Sequence, residues 1–153
     1  MASVVLLLGS ARDRPVAAKA EQVLKQLGID YATHVASAHR TPGRVVDLVK
    51  NSGAQVFIAI AGLSAALPGV VAAHTRKPVI GVPCTSDSSP GNLDSLLSVV
   101  QMPPGVPVAA VGLGRGENAA LLAARILALG DDAVASALED YQTELERKVI
   151  ESS

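Results

Sequence analysis

Along the chain, continuous apolar runs alternate with stretches whose apolar residues recur every three or four positions. Residues 3–8, S-V-V-L-L-L, form such a run and stop at Gly9, the pattern of a strand buried on both faces. Pro15 suits a first helical turn, and Val16, Ala20, Val23, Leu24 and Leu27 then keep helical spacing until Gly28. The same reading predicts strands at 31–36, 55–61, 78–82 and 106–111. It predicts helices at 42–51, with Val45, Val46, Leu48 and Val49 inward, at 65–74, at 93–100, and at 116–129 before Gly130. This alternation implies a parallel sheet with helices on both faces, a three-layer α/β architecture. Five strands favour a flavodoxin-like arrangement over a barrel. Ligands of such sheets lie beyond the carboxyl ends of the strands, so a site is expected among segments 9–14, 37–42, 62–69, 83–92 and 112–118.

The last segment departs from the alternation. Over 131–150, Val134, Leu138, Tyr141, Leu145 and Val149 make one apolar stripe with charges opposite. That helix can pack on its own domain or on a neighbouring subunit. The second placement is favoured, because the α/β unit is complete without it. The chain then divides into a flavodoxin-like catalytic domain over 1–130 and a C-terminal helix over 131–153. S-D-S-S-P-G-N, at 86–92, is the loosest stretch and suits a mobile site loop.

Composition narrows the chemistry. Apolar residues make up 49% of the 153 residues, enough for one domain with a real core. Aromatic residues are only 2%, so Ala, Val, Leu and Ile must fill that core, and stacking platforms for single-stranded nucleic acid are scarce. With 13 basic against 14 acidic residues the net charge is -1, which implies no basic face and no nucleic-acid partner. The single cysteine, Cys84, excludes an intrachain disulfide and fits a reducing cytoplasm. The N-terminus has no basic n-region and reads as a first strand, not a signal peptide. No run approaches the ~20 apolar residues of a membrane span, so no membrane partner is expected.

Each candidate loop has a functional and a plain structural reading. In G-S-A-R-D-R-P, at 9–15, backbone N–H groups at a helix start favour an anion, Ser10 adds a hydroxyl, and Asp13 can accept from a ribose diol. Asp13 could equally cap the helix, and alone that reading is the stronger one. In S-A-H-R-T-P, at 37–42, Ser37 and the forked Arg40 could hold a phosphate, leaving His39 as a proton-transfer group, the role histidine as a residue type suits. A surface His beside a surface Arg is the plain alternative. Two loops at one sheet edge carrying the same kind of groups favour the functional one. Gly62 permits close backbone approach in A-G-L-S-A-A-L-P-G, at 61–69, as ligand wall or as tight turn.

V-G-L-G-R-G-E-N, at 111–118, resembles a dinucleotide fingerprint, but its sixth position is Glu117, so it reads as a glycine-rich turn. His34 and His74 have no metal-ligand spacing with an acid, and no metal site is expected. Cys84 could be a nucleophile given a nearby base. A small buried filler is the favoured reading.

Five motifs in order resemble one family. They are S-A-H-R-T-P, A-A-L-P-G-V-V-A, K-P-V-I-G-V-P, L-D-S-L-L-S-V-V-Q-M-P-P-G-V-P-V and N-A-A-L-L-A-A-R-I-L, spread over roughly residues 4–129. Together they resemble the PurE family of purine biosynthesis, the N5-carboxyaminoimidazole ribonucleotide mutases and the related aminoimidazole ribonucleotide carboxylases. The resemblance implies a flavodoxin-like core, an octamer with the C-terminal helix crossing to a neighbour, a phosphoribosyl aminoimidazole substrate and no cofactor. It puts Gly9, Ser10 and Asp13 on the G-S-x-S-D positions that bind phosphate and ribose, with Arg12 in place of a serine. Ser37, His39 and Arg40 fall on S-A-H-R, and His39 matches the general acid/base. Gly62, Leu63, Ser64, Ala66 and Leu67 would wall the imidazole and a carbon dioxide pocket.

Three features depart from the family pattern: Ala11 and Arg12 in the first loop, Ala66 where mutases carry histidine, and the 83–92 loop. The S-A-H-R and Q-M-P-P-G motifs lean toward the mutases. A direct carboxylase, a non-catalytic nucleotide-binding domain and a relative acting on another phosphorylated heterocycle are the alternatives.

Overall fold

The computed structural model describes residues 1–153. The chain runs β1 (Val4–Leu8), α1 (Arg14–Gln26), β2 (Tyr31–Val35), α2 (Pro42–Asn51), β3 (Val56–Gly62), α3 (Leu67–Ala73), β4 (Val79–Cys84), α4 (Leu93–Val100), β5 (Ala109–Ala110), α5 (Gly116–Leu127) and α6 (Asp132–Glu151). All pairings are parallel and the strand order is β2-β1-β3-β4-β5, the flavodoxin-like sheet the alternation implied.

Strand periodicity divides the core in two. Val4, Leu6, Leu8, Val56, Ile58, Ile60, Ile80 and Val82 face α1, α5 and the start of α6. Val5, Leu7, Phe57, Ala59, Ala61 and Val79 face the opposite layer, where Val45, Val49, Leu67, Val71 and Val99 meet them. Alanines at 17, 20, 119, 120, 123 and 124 bring α1 and α5 close together over the first face. At their crossing a Cβ on Gly116 would lie 2.1 Å from the Val16 carbonyl oxygen, so no side chain fits there.

Three elements differ from the sequence expectation. β5 is confined to Ala109–Ala110 instead of 106–111. Pro103, Pro104 and Pro107 offer no ladder donor, and Val106 N–H turns back to the Pro103 carbonyl. Ala11–Asp13 forms a 3-10 turn ahead of α1. β4 continues to Cys84, and Gly114 N–H donates to the Pro83 carbonyl at 2.8 Å, tying the 112–118 turn to the strand end.

The C-terminal helix is divided in its packing. Asp131 caps it by accepting from the Ala133 and Val134 N–H groups. Val134 and Leu138 are buried on the α1/α5 face, with Ala137 and Tyr141 against them. The first half of α6 therefore packs on its own domain, the placement the sequence reading did not favour. Leu145, Val149 and Ile150 in the second half are exposed. No helix is long and apolar enough to cross a membrane.

Candidate active site

Parallel ladders end together, and here β1, β3 and β4 deliver their carboxyl ends to one place. A cleft of about 680 Å³ opens there. Its lining includes Gly9, Ser10, Arg12 and Asp13 after β1, Ser37, His39 and Arg40 after β2, and Gly62, Leu63, Ser64, Ala66 and Leu67 after β3. Every site residue named from the sequence thus lies on one cavity. Thr85, Ser86 and Ser88 after β4 line it as well and were not singled out. The signal that could have found them was their position, on a loop already expected at the same sheet edge.

The first loop is wired by its own side chains. Ser10 Oγ accepts from Arg12 N–H at 3.2 Å, and Asp13 Oδ2 accepts from Ser10 N–H at 3.0 Å. This reciprocal capping closes the 3-10 turn, so the Asp13 side chain caps that turn and makes no cap bond to α1, the helix that the plain reading had it cap. Yet Asp13 also lines the cleft at only 8% exposure. Burial raises its pKa above the ordinary 3.8, while the Ser10 N–H, the Cys84 thiol and the Arg40 charge pull it down. Cys84 is buried beside it, and burial together with the Asp13 charge pushes the thiol up to about 12. A thiol with that pKa is no nucleophile at neutral pH, which supports the filler reading.

The second loop holds Arg40 across the cleft floor. Ser37 N–H donates to Thr41 Oγ1 at 2.9 Å, and Ser37 Oγ accepts from Arg40 N–H at 3.1 Å and from Arg40 Nε at 3.3 Å. Arg40 Nη2 donates to the Gly9 carbonyl at 3.1 Å, so the guanidinium links the first and second loops. The Ser37 hydroxyl accepts twice and keeps its own proton to donate. Pro42 then starts α2. His39 stands exposed on the cleft wall between these anchors.

The third loop is backbone and small apolar side chains. A Cβ on Gly62 would lie 3.4 Å from the Cys84 carbonyl oxygen, so the ends of β3 and β4 approach closely. Leu63 takes φ 54, a left-handed conformation costly for a branched residue, and is 51% exposed beside the cleft. Ala65 N–H then closes the turn on the Gly62 carbonyl at 3.0 Å. No sequence signal marked Leu63 as strained, because the turn is set by the loop around it.

One end of the cleft is therefore small and apolar, the other rich in hydroxyls and guanidinium, with an imidazole on the wall. Such a site can bind a flat ring at one end and an anion at the other, and move a proton between.

The chain matches the family model described as AIR carboxylase over residues 3–148. An N5-carboxyaminoimidazole ribonucleotide mutase of Methanocaldococcus jannaschii is 54% identical over 149 residues, 97% of this chain and 94% of that protein. A Thermotoga maritima protein of the same name is 44% identical over 156 residues, covering 100% of this chain and 91% of its own. The crystal structure of Treponema denticola PurE is 37% identical, covers 97% of this chain and 94% of its own, and gives a TM-score of 0.86. On matches that span nearly its whole length, this chain belongs to the AIR carboxylase family.

Proposed function

We propose that the chain is an N5-carboxyaminoimidazole ribonucleotide mutase, moving the carboxyl group from N5 to C4 of the aminoimidazole. The observation that carries this reading is the convergence of His39 with Ser10, Asp13, Ser37 and Arg40 in a cleft whose remaining wall is the small apolar turn at 62–67. The relatives named as mutases support it.

The substrate's phosphoribosyl end lies along the first two loops. Ser10, Ser37 and Arg40, with Arg12, hold the phosphate, and Asp13 accepts from the ribose hydroxyls. The imidazole lies against Gly62, Leu63, Ser64, Ala66 and Leu67. Protonated His39 gives its proton to N5 as the N5–carbon bond breaks, releasing carbon dioxide into the small apolar pocket. The electron-rich C4 attacks that carbon dioxide, forming the new carbon–carbon bond. His39 then removes the C4 proton, restoring the aromatic ring and its own starting state. One proton leaves the imidazole and one returns, so no cofactor enters the balance. The pocket must exclude water and keep carbon dioxide beside the ring, which its apolar walls favour.

The enzyme acts as a homo-oligomer, an octamer on the family resemblance. The exposed apolar rows support this: Leu93, Leu97 and Val100 on α4, and Leu145, Val149 and Ile150 at the end of α6, which we place against a neighbouring subunit. A cytoplasmic location is supported by the free Cys84 and by a phosphorylated substrate of small size.

The test supplies purified protein with N5-carboxyaminoimidazole ribonucleotide, and separately with aminoimidazole ribonucleotide and bicarbonate, following the C4-carboxylated product by ultraviolet absorbance. Fast product from the first alone is expected. Product mainly from the second would make the chain a direct carboxylase, and product from neither would leave a binding module.

A further inference from the structure

The turn that carries His39 is closed by a residue outside the cleft. Ser37 N–H donates to Thr41 Oγ1 at 2.9 Å, and Thr41 Oγ1 donates back to the Ser37 carbonyl at 3.2 Å. Thr41 N–H donates to the same carbonyl at 2.9 Å. Ser37, Ala38, His39 and Arg40 line the cleft, and Thr41 does not. Thr41 also stands at the N-cap of α2, where a threonine ordinarily accepts from the second or third N–H of the helix. Here its side chain makes no such bond, although its carbonyl still opens the helix by accepting from Val45 N–H at 3.3 Å. Pro42 has no N–H to satisfy, and Gly43 and Arg44 are exposed, so water meets the donors that the cap leaves. A residue placed to cap the helix is bonded into the loop instead.

We propose that Thr41 is a positioning residue: its hydroxyl holds the 37–41 turn closed and so keeps the His39 imidazole at the wall of the cleft. The proposal rests on His39 being the proton-transfer group of the mutase reading, and it adds the group that fixes that histidine in place.

Two observations carry it. The first is that both stems of the turn are fixed, so the turn alone decides where the imidazole stands. Ala36 N–H continues the ladder to the Leu8 carbonyl at 2.9 Å, and Arg44 Nε donates to the Val35 carbonyl at 3.2 Å. The second is that the polar neighbours of His39 are anchored through their side chains. Ser37 Oγ accepts from Arg40 N–H and Nε, and Arg40 Nη2 reaches the Gly9 carbonyl. The His39 ring, exposed at the tip of the turn, has none of these anchors, so the backbone places it. None of the Arg40 bonds passes through Thr41. Loss of the Thr41 hydroxyl therefore keeps Arg40 tied to Ser37 and Gly9 and releases the Ser37 N–H from its partner. A proton-transfer group displaced by about 1 Å loses on the order of 100-fold in rate, while contacts to the rest of the substrate persist.

The test compares Thr41→Val, which keeps the shape and removes the hydroxyl, with Thr41→Ser, which keeps the hydroxyl. Thr41→Val should lower kcat about 10–100-fold and leave KM within about 3-fold of the parent. Thr41→Ser should hold both constants within about 3-fold. Thr75→Val removes a hydroxyl that accepts from Lys77 N–H at 3.1 Å away from the cleft, and should change neither constant. In the His39→Asn background Thr41→Val should lower the residual turnover no further, because a residue that acts through His39 has nothing left to hold. Nuclear magnetic resonance of protein labelled at histidine Cε1, assigned with single histidine variants, gives a readout apart from turnover. The His39 signal should show faster motion in Thr41→Val and not in Thr41→Ser. A Thr41→Val protein with the parent's kcat, a KM that rises as much as kcat falls, or an equal loss in the His39→Asn background overturns the proposal. If Thr41→Val does not fold, Thr41→Ala is held to the same comparisons. If the parent converts no substrate, the mutase reading fails, and the histidine signal still decides whether Thr41 holds the imidazole: unchanged motion in Thr41→Val overturns it.

Discussion

The two ends of the cleft are built in opposite ways. The ring end is made of strand termini and a tight turn, with Ala61, Ala65, Leu67 and Cys84 buried and Gly62 in contact with the end of β4. Its shape is fixed by the parallel ladder beneath it. The proposed phosphate end is made of exposed side chains, Arg12 and Arg40, the latter held by bonds to Ser37 Oγ and to the Gly9 carbonyl. Rigid packing suits the end that must retain a small neutral gas, where a loose wall would admit water. Adaptable donors suit the end that must gather a solvated anion. Substitutions should therefore act on kcat at one end and on KM at the other, with His39 at the boundary.

His39→Asn breaks that boundary and has the largest expected effect. It should lower kcat about 100- to 10,000-fold while the ribonucleotide still binds, since only the proton transfers are removed. Steady-state kinetics with parallel calorimetry separate the two. Arg40→Ala acts at the phosphate end. It removes bonds to Gly9 and Ser37 as well as the cation, and should raise KM about 10–100-fold.

Asp13→Asn should raise KM by a smaller factor, about 10-fold, through the ribose contacts. It also sharpens the electrostatic side of the comparison. The folded pKa of Asp13 is raised, so the stability this group contributes is present below 3.8 and is lost as pH rises through the folded value. The parent should therefore lose stability relative to Asp13→Asn across that window, as read by urea midpoints at a series of pH values. At the ring end, Leu63→Gly relieves the left-handed strain at φ 54, so its stability should change by less than about 1 kcal/mol. Removing that wall should lower kcat without raising KM. The smallest effect belongs to Cys84→Ala. Its thiol, at about 12, stays protonated and should react slowly with iodoacetamide at pH 8, and the variant should retain most activity.

Much of this was legible from residues alone, and the reasons are specific. β1 and β3 read cleanly because a strand buried on both faces must be apolar throughout, as V-V-L-L-L is. The β-α alternation implies a parallel sheet, and a parallel sheet brings the loops after its strands to one edge. Convergence of Ser10, Asp13, Ser37 and His39 was thus a consequence of topology, with their chemistry supplied by residue type. β5 was overextended because V-P-V-A-A-V is apolar enough to mimic a strand, while its proline, Pro107, denies the ladder a donor. Asp13 was read as cap or ligand, and the turn allows both at once, since one carboxylate oxygen takes the Ser10 N–H and the side chain still reaches the cleft. The 85–88 wall was missed because serine and threonine carry no signature until a fold assigns them neighbours. The C-terminal helix showed one stripe in sequence, yet its two halves meet different surroundings, and periodicity does not report what lies opposite.

The central claim is that carbon dioxide passes from N5 to C4 without leaving the cleft. The most direct measurement supplies N5-carboxyaminoimidazole ribonucleotide labelled with heavy carbon in its carboxyl group, in buffer containing unlabelled bicarbonate, and reads the product by mass spectrometry. Product that keeps the heavy carbon is the result this account predicts. Product carrying carbon from the bulk pool would contradict it, and would mean that the cleft carboxylates free aminoimidazole ribonucleotide instead.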